Sequence, residues 1–172
     1  MKKAMWSTAF LTGAGCAVFA YLGYTGLAIT LGTCFYHLAM RLAVGYVMLF
    51  VPRRFNADSG WFAERAWEKK LYNRLRLKAW KGNIPTFNPE DFDMKLHTPA
   101  QIVQTMCVSE LVHEIIVVLS FVPLLFALAV GALPVFLLTS LAAAGYDCIF
   151  VMLQRYNRPR MMALARRAER RG

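Results

Sequence analysis

The chain has little acidic charge and few cysteines. Of its 172 residues only 10 are Asp or Glu, against 20 Lys or Arg, which gives a net charge of +10. The four cysteines, Cys16, Cys34, Cys107 and Cys148, have unrelated spacings and all lie in apolar runs. This pattern predicts neither a disulfide framework nor a zinc site, so we interpret the thiols as small packing residues. Internal repeats and low-complexity tracts are also lacking, and no second globular domain is expected.

Charge is nearly absent from several long apolar runs. Hydrophobic residues make up 58% of the chain, above the level of a soluble domain, and they are concentrated in blocks. Since a helix needs about 20 apolar residues to cross a bilayer, the blocks predict membrane spans. We therefore expect an all-α integral membrane protein, a single membrane domain over residues 1–172. The predicted segments are spans at residues 4–22, 27–51, 100–130 and 134–153, an interfacial segment at 52–99, and a basic tail at 154–172.

The connections near residues 23–26 and 131–134 carry no Lys or Arg. Cytoplasmic loops are enriched in these residues, so we expect both connections to lie outside and both termini to be cytoplasmic in a multi-pass protein of the cell membrane. An anionic leaflet then accounts for the basic charge, and no nucleic-acid partner is expected. Lys2 and Lys3 before an apolar run also resemble a signal peptide, but the run continues past Cys16, which favours a retained span.

The interfacial segment begins where Pro52 ends the second span. Residues 61–80 predict a basic amphipathic helix in the headgroup region, in which Trp67, Leu71 and Leu75 recur every four residues. Glu68 and the Lys and Arg residues are expected on its polar face. It would serve as a surface anchor, or in addition grip an anionic headgroup or carrier. Residues 81–89 predict a loop, and Pro123 is expected to kink the third span.

Ionisable residues interrupt three of the apolar runs. Glu110, His113 and Glu114 share one face of the third predicted span, because they are separated by three and four residues. Two interpretations remain open, a polar patch that joins helices or a functional site. His37 and Arg41 share a face of the second span, and Asp147 lies in the fourth. We expect these six residues to form one layer in the inner half of the membrane, with Arg41 paired to one carboxylate.

Three arginines close the fourth predicted span beside Tyr156 and Asn157. Guanidinium groups at a membrane interface suit phosphate or carboxylate binding, although a positive-inside stop signal is the alternative. In this stretch, residues 154–160, the sequence resembles the glycosyl-4,4'-diaponeurosporenoate acyltransferases, membrane enzymes of staphyloxanthin-type carotenoid synthesis. The resemblance also includes Ser109, Glu110, Leu111, Val112 and His113, the Trp- and Lys-rich residues 61–81 and the basic residues 166–171, and it extends over about residues 55–172.

The resemblance implies transfer of a fatty acyl chain to a sugar hydroxyl of a lipid-linked glycoside. Such a reaction needs a base, and His113 is the best one because an imidazole titrates near neutrality. Glu110 or Glu114 would orient His113, and we expect direct transfer because no Ser or Cys nucleophile is clearly placed. No metal and no cofactor are expected; the donor, for example an acyl-CoA, is a substrate. The expected partners are membrane lipids, the acyl donor and a lipid-linked glycoside acceptor.

We expect nine further residues to bind substrate: His37, Arg41, Asp147, Gln154, Arg155, Tyr156, Asn157, Arg158 and Arg160. Two other classes of function stay open. His37, His113, Glu110 and Glu114 are all possible ligands of a membrane metalloenzyme that acts on lipids. A non-catalytic subunit for lipid binding or transport is the third.

Overall fold

Long helices dominate the structure, a computed structural model that describes residues 2–52, 54–84 and 88–170. Helices α1 (Lys2–Tyr21), α2 (Thr25–Val47), α3 (Ala66–Arg74), α4 (Leu77–Trp80), α5 (Pro99–Leu119), α6 (Pro123–Val130) and α7 (Leu133–Glu169) follow one another along the chain. Short 3-10 turns lie at Met48–Phe50, Lys81–Asn83 and Pro89–Phe92, and there is no strand among the described residues. The predicted all-α class is confirmed.

Four helical stretches of the described chain are long and apolar enough to cross a membrane. They are Lys3–Tyr21, Thr25–Phe50, Pro99–Val130 and Leu133–Glu169. The fourth span was expected to end with the apolar run near residue 153. Helix α7 instead continues through the predicted tail to Glu169. The residues that follow Leu153 are mostly good helix formers, so polarity alone does not stop the helix. Pro159 lies within α7.

The chain divides into two compact units. One contains the residues up to Phe50 and Glu114–Cys148, and the other contains Val51–His113 and the residues from Ile149 onward. The expectation of a single membrane domain stays a prediction.

In the first unit, α1 and α2 form a hairpin in which side chains of one helix pack against glycines of the other. A Cβ atom added at Gly13 would lie 3.0 Å from the Phe35 ring, and one added at Gly32 would lie 3.1 Å from the Cys16 sulfur. Small residues at these positions let the helices approach, as is common for helix pairs in membranes. The Cys16 thiol is a packing group here, in agreement with the sequence.

Pro123 interrupts the third apolar stretch instead of only kinking it. Helix α5 ends at Leu119, a turn follows, and Pro123 occupies the first turn of α6. Proline has no backbone N–H, so it cannot donate to the carbonyl four residues earlier, which belongs to Leu119. The Leu119 carbonyl accepts instead from the Val122 N–H in the turn, at 3.1 Å, and from the Tyr36 hydroxyl, at 2.9 Å.

In the second unit, the amphipathic helix predicted for residues 61–80 is shorter and broken. Residues 61–65 are not helical, and α3 and α4 are separated at Arg76, whose φ is +50°. Helix α3 begins where it does because the Glu68 carboxylate accepts the Arg65 N–H at 3.0 Å, which caps its first turn. Trp67 and Leu75 are exposed, whereas Glu68, expected on the polar face, is buried.

Tyr72 and Leu77 of this segment pack with Leu153 of α7 to form the core of the second unit. Trp80, Ile84 and Phe150 lie around that core. The loop predicted for residues 81–89 begins with the 3-10 turn Lys81–Asn83, and its residues 85–87 lie outside the described residues. Helix α7 is therefore fixed against α3 and α4 just before its arginine-rich stretch.

Candidate active site

A network of two carboxylates and two guanidinium groups is buried in the second unit. Arg155 of α7 donates from Nη1 to Glu68 at 2.6 Å and from Nε to Glu110 at 2.8 Å. Its Nη2 donates to the carbonyl oxygen of Trp61 at 3.2 Å. One side chain of α7 thus joins α3, α5 and the irregular segment before α3.

Arg158 lies one turn further along α7 and completes the network. Its Nη2 donates to the second oxygen of Glu110, and its Nη1 lies 3.7 Å from the Cys107 sulfur. The guanidinium also lies 4.9 Å from the centroid of the Phe62 ring, a cation–π contact. Arg158 is 1% exposed and Glu110 is 0% exposed, so both charges are removed from solvent.

The four charges of the network cancel. Burying one charge without a partner costs several kcal/mol, by an order-of-magnitude estimate, whereas a paired and hydrogen-bonded set can be held inside a protein. Arg155 and Arg158 each face a carboxylate and hold α7 in place, and their role in binding substrate phosphates stays a prediction. The carboxylates of Glu110 and Glu68 are the groups that orient them.

His113, the predicted base, lies on α5 one turn beyond Glu110. Its ring stacks on the Phe150 ring with 4.6 Å between the centroids and 11° between the planes. The side chain is half-buried. Nearby, Gln154 of α7 donates to the Ser109 hydroxyl at 3.3 Å. The residues of α5 and α7 on which the sequence resemblance rests therefore lie close together.

Tyr156, Asn157 and Arg160 lie at the more open side of α7. Lys81 donates to the side-chain amide oxygen of Asn157 (Oδ1) at 2.6 Å, and its ammonium lies 4.8 Å from the centroid of the Tyr156 ring. The Arg160 guanidinium lies 5.0 Å from the same ring. Two cations are thus held on one aromatic ring, close to the surface.

The first unit contains a separate polar cluster. Arg41 pairs with Asp147, and it also donates to the carbonyl oxygens of Ala143 at 3.2 Å and His37 at 3.0 Å. Asp147 is therefore a partner of Arg41, which the sequence left undecided among several carboxylates. His37 is buried, and among the described residues neither of its ring nitrogens has a hydrogen-bond partner. Glu114 is half-buried in the same unit.

The predicted layer of six ionisable residues is divided between the two units. Glu110 and His113 belong to one, and His37, Arg41, Glu114 and Asp147 belong to the other. Their roles in catalysis and substrate binding stay predictions. Among the described residues no group of three or more His, Cys, Asp or Glu side chains is arranged to hold a metal ion.

Sequence reasoning missed Glu68 and Lys81. Glu68 was assigned to the polar face of an amphipathic helix, and its partner is 87 positions away in the chain. One signal was available, because two arginines at positions 155 and 158 need more than the single carboxylate of Glu110 if both guanidinium groups are buried. Lys81 carried no such signal, since a lysine at the start of a loop is ordinarily solvated.

The four apolar helical stretches define a small helical membrane protein. Its buried ion network, formed by α3, α5 and α7, comes from the last two-thirds of the chain. The sequence of these two-thirds identifies the family. The family model for glycosyl-4,4'-diaponeurosporenoate acyltransferases matches residues 58–167, which include the whole network, and the chain belongs to this family. No curated protein and no solved structure matches the chain.

Proposed function

We propose that this protein is a membrane-embedded acyltransferase that moves a fatty acyl chain from an activated donor to a hydroxyl of a carotenoid-glycoside-like glycolipid. The observation that carries the proposal is the family match over residues 58–167, since that range contains His113 and all members of the ion network. The family name supplies the reaction class. The donor, the acceptor and the cell-membrane location are part of our proposal.

In this mechanism His113 removes the proton of the acceptor hydroxyl while the oxygen attacks the acyl carbonyl. The carbonyl–oxygen bond of the new ester forms, the bond to the donor's leaving group breaks, and the proton passes from His113 to that leaving group. Stacking on Phe150 supports this role, because it limits the imidazole to few orientations. The Glu110 carboxylate would contribute indirectly, by holding Arg155 and Arg158 in place.

Exposed apolar side chains support a membrane location. Phe10, Leu128 and Leu138 are each more than half exposed, and each lies in one of the helical stretches that are long enough to span a bilayer. Apolar surface of this extent is costly in water and stable against lipid. The uncharged connections and the basic segments support a multi-pass arrangement with both termini in the cytoplasm.

Lipid extracts of cells with and without the protein test the function. We expect a glycolipid whose mass is larger by one acyl chain only when the protein is present. His113→Ala should abolish that product, and His97→Ala, a matched change outside the proposed site, should leave it unchanged. Identical extracts would instead favour a non-catalytic lipid-binding subunit, and an active His113→Ala protein would exclude His113 as the base.

A further inference from the structure

An open cavity of about 460 Å³ lies in the second unit, and none of the four charged residues of the buried network lines it. Helices α3 and α4 and the arginine-rich stretch of α7 form its walls. Tyr72, Asn73, Arg76, Lys78 and Tyr156 line it, together with Leu77 and Ala79. Ligand pockets in proteins have volumes of about 300–1,000 Å³, so the cavity has room for a group larger than one phosphate.

The lining of the cavity is cationic and contains no carboxylate. Arg76 and Lys78 are on its wall, and Lys81 and Arg160 both lie against the ring of Tyr156, at 4.8 and 5.0 Å from its centroid. This differs from Arg155 and Arg158, whose charges are compensated by Glu68 and Glu110. The cations suited to an anionic ligand are therefore those around the cavity.

The backbone at Arg76 adds a second observation. Its φ of +50° and ψ of +40° lie in the left-handed region, where glycine is favoured and other residues are strained. Arg76 is the one non-glycine residue with positive φ in the described chain. Strained residues cluster at binding sites, because the conformation places a side chain or backbone group where the ligand needs it. Here the conformation breaks the helix and directs the chain around the cavity.

We propose that this cavity binds the phosphorylated nucleotide head of coenzyme A, presented by the acyl donor; this rests on the proposed function. Arg76 and Lys78 would bind the phosphates, which suit guanidinium and ammonium groups. The Asn73 amide would bond the edge of the adenine, and Lys81 and Arg160, held on the Tyr156 ring, would add positive charge beside the phosphates. A lipid phosphate would use the cations but would leave much of the volume unfilled.

Binding of coenzyme A to the purified full chain in detergent micelles tests the site by calorimetry. We expect wild type to bind coenzyme A, with an affinity that falls as salt is added, and to bind pantetheine, which lacks the nucleotide, much more weakly. Arg76→Gly and Lys78→Gln should each weaken coenzyme A binding about 10-fold or more, the usual effect of losing a charged hydrogen bond. Lys95→Gln, an exposed residue outside the cavity, should bind as wild type does.

Arg76→Gly is expected to fold, because glycine accepts the left-handed conformation without strain. The melting temperature of Arg76→Gly in micelles checks this. If Arg76→Gly does not fold, the coenzyme A affinity of Lys78→Gln tests the site independently. Unchanged coenzyme A affinity in both variants would refute the site. Equal binding of coenzyme A and pantetheine, with displacement of both by phosphatidylglycerol, would also refute it and assign the cavity to a lipid headgroup.

The site and the proposed function fail in different ways. If the acylated glycolipid still forms at the wild-type rate in Arg76→Gly and Lys78→Gln cells, the function stands and the cavity is not the donor site. If coenzyme A binds through the cavity but no acylated lipid forms in any cell, the acyltransferase proposal fails and the nucleotide site remains.

Discussion

Replacing Glu110 with Gln should destabilise the protein by about 3–5 kcal/mol, the usual cost of removing one partner from a buried ion pair. Glu110 is 0% exposed and accepts from Arg155 at 2.8 Å and from Arg158. Glutamine keeps the size of the side chain but has one acceptor oxygen. Its amide N–H groups would face a guanidinium donor, so one of the two arginines loses its charge partner and a hydrogen bond together.

The matched control is Asp58→Asn, which removes the same charge from an exposed pair. Asp58 and Arg166 are 64% and 59% exposed, and pairs of this kind contribute about 0–1 kcal/mol. Unfolding in detergent micelles with increasing SDS, followed by tryptophan fluorescence, gives both free energies. If Glu110→Gln lowers the free energy of unfolding no more than Asp58→Asn does, the network is not the buried, coupled set described above.

Three further predictions concern single side chains. Asp147→Asn should lower the free energy of unfolding by about 3–5 kcal/mol, and the double variant with Arg41→Met should recover part of it; additive losses in a double-mutant cycle would contradict the pair. Burial raises the pKa of the Tyr72 hydroxyl above its ordinary value of 10.0, and the Glu68 carboxylate raises it further. Above pH 10 the unfolded chain loses the Tyr72 proton and the folded protein keeps it, so the free energy of unfolding should fall by at most about 1.4 kcal/mol per pH unit. Urea titrations at several pH values give this slope, which should be shallower for Tyr72→Phe. Equal slopes in the two proteins would be inconsistent with the raised pKa. Gly131→Ala should cost about 1 kcal/mol because its φ is +75°, whereas Gly145→Ala inside α7 should stabilise slightly; thermal melts that rank the two in the opposite order would disprove the left-handed cap.

The apolar helices could be predicted because their signal is local. A run of apolar residues identifies a span regardless of what packs against it, and the connections at Gly23 and Gly131 are marked by glycine and by missing charge. The end of α7 could not be predicted in the same way. Hydropathy falls at Gln154, but the helix depends on backbone hydrogen bonds and on Arg155 and Arg158 finding partners, and these features continue past the apolar run.

Pairing of charges was the part that the sequence did not determine. The periodicity of α5 placed Glu110 and His113 on one face, but it could not tell whether the partner of Glu110 was Arg41 or an arginine of α7. The partner of Glu110 depends on which helices are neighbours in the fold and on how far along each helix the charged residues lie. Glu68 was missed for the same reason, because only tertiary packing distinguishes a buried carboxylate from a solvated one on a short amphipathic helix.

The order of the network along the chain has a consequence for biosynthesis. Both carboxylates, Glu68 and Glu110, are synthesised before both arginines, and domains of a growing chain fold from the N-terminal side. Helix α5 therefore enters the membrane with a carboxylate whose partners have not yet been made, a costly state for an apolar helix. Helix α5 is stably packed only after α7 has supplied Arg155 and Arg158. Chains that end before residue 155 should therefore be degraded by quality-control proteases, even though they contain all of α5.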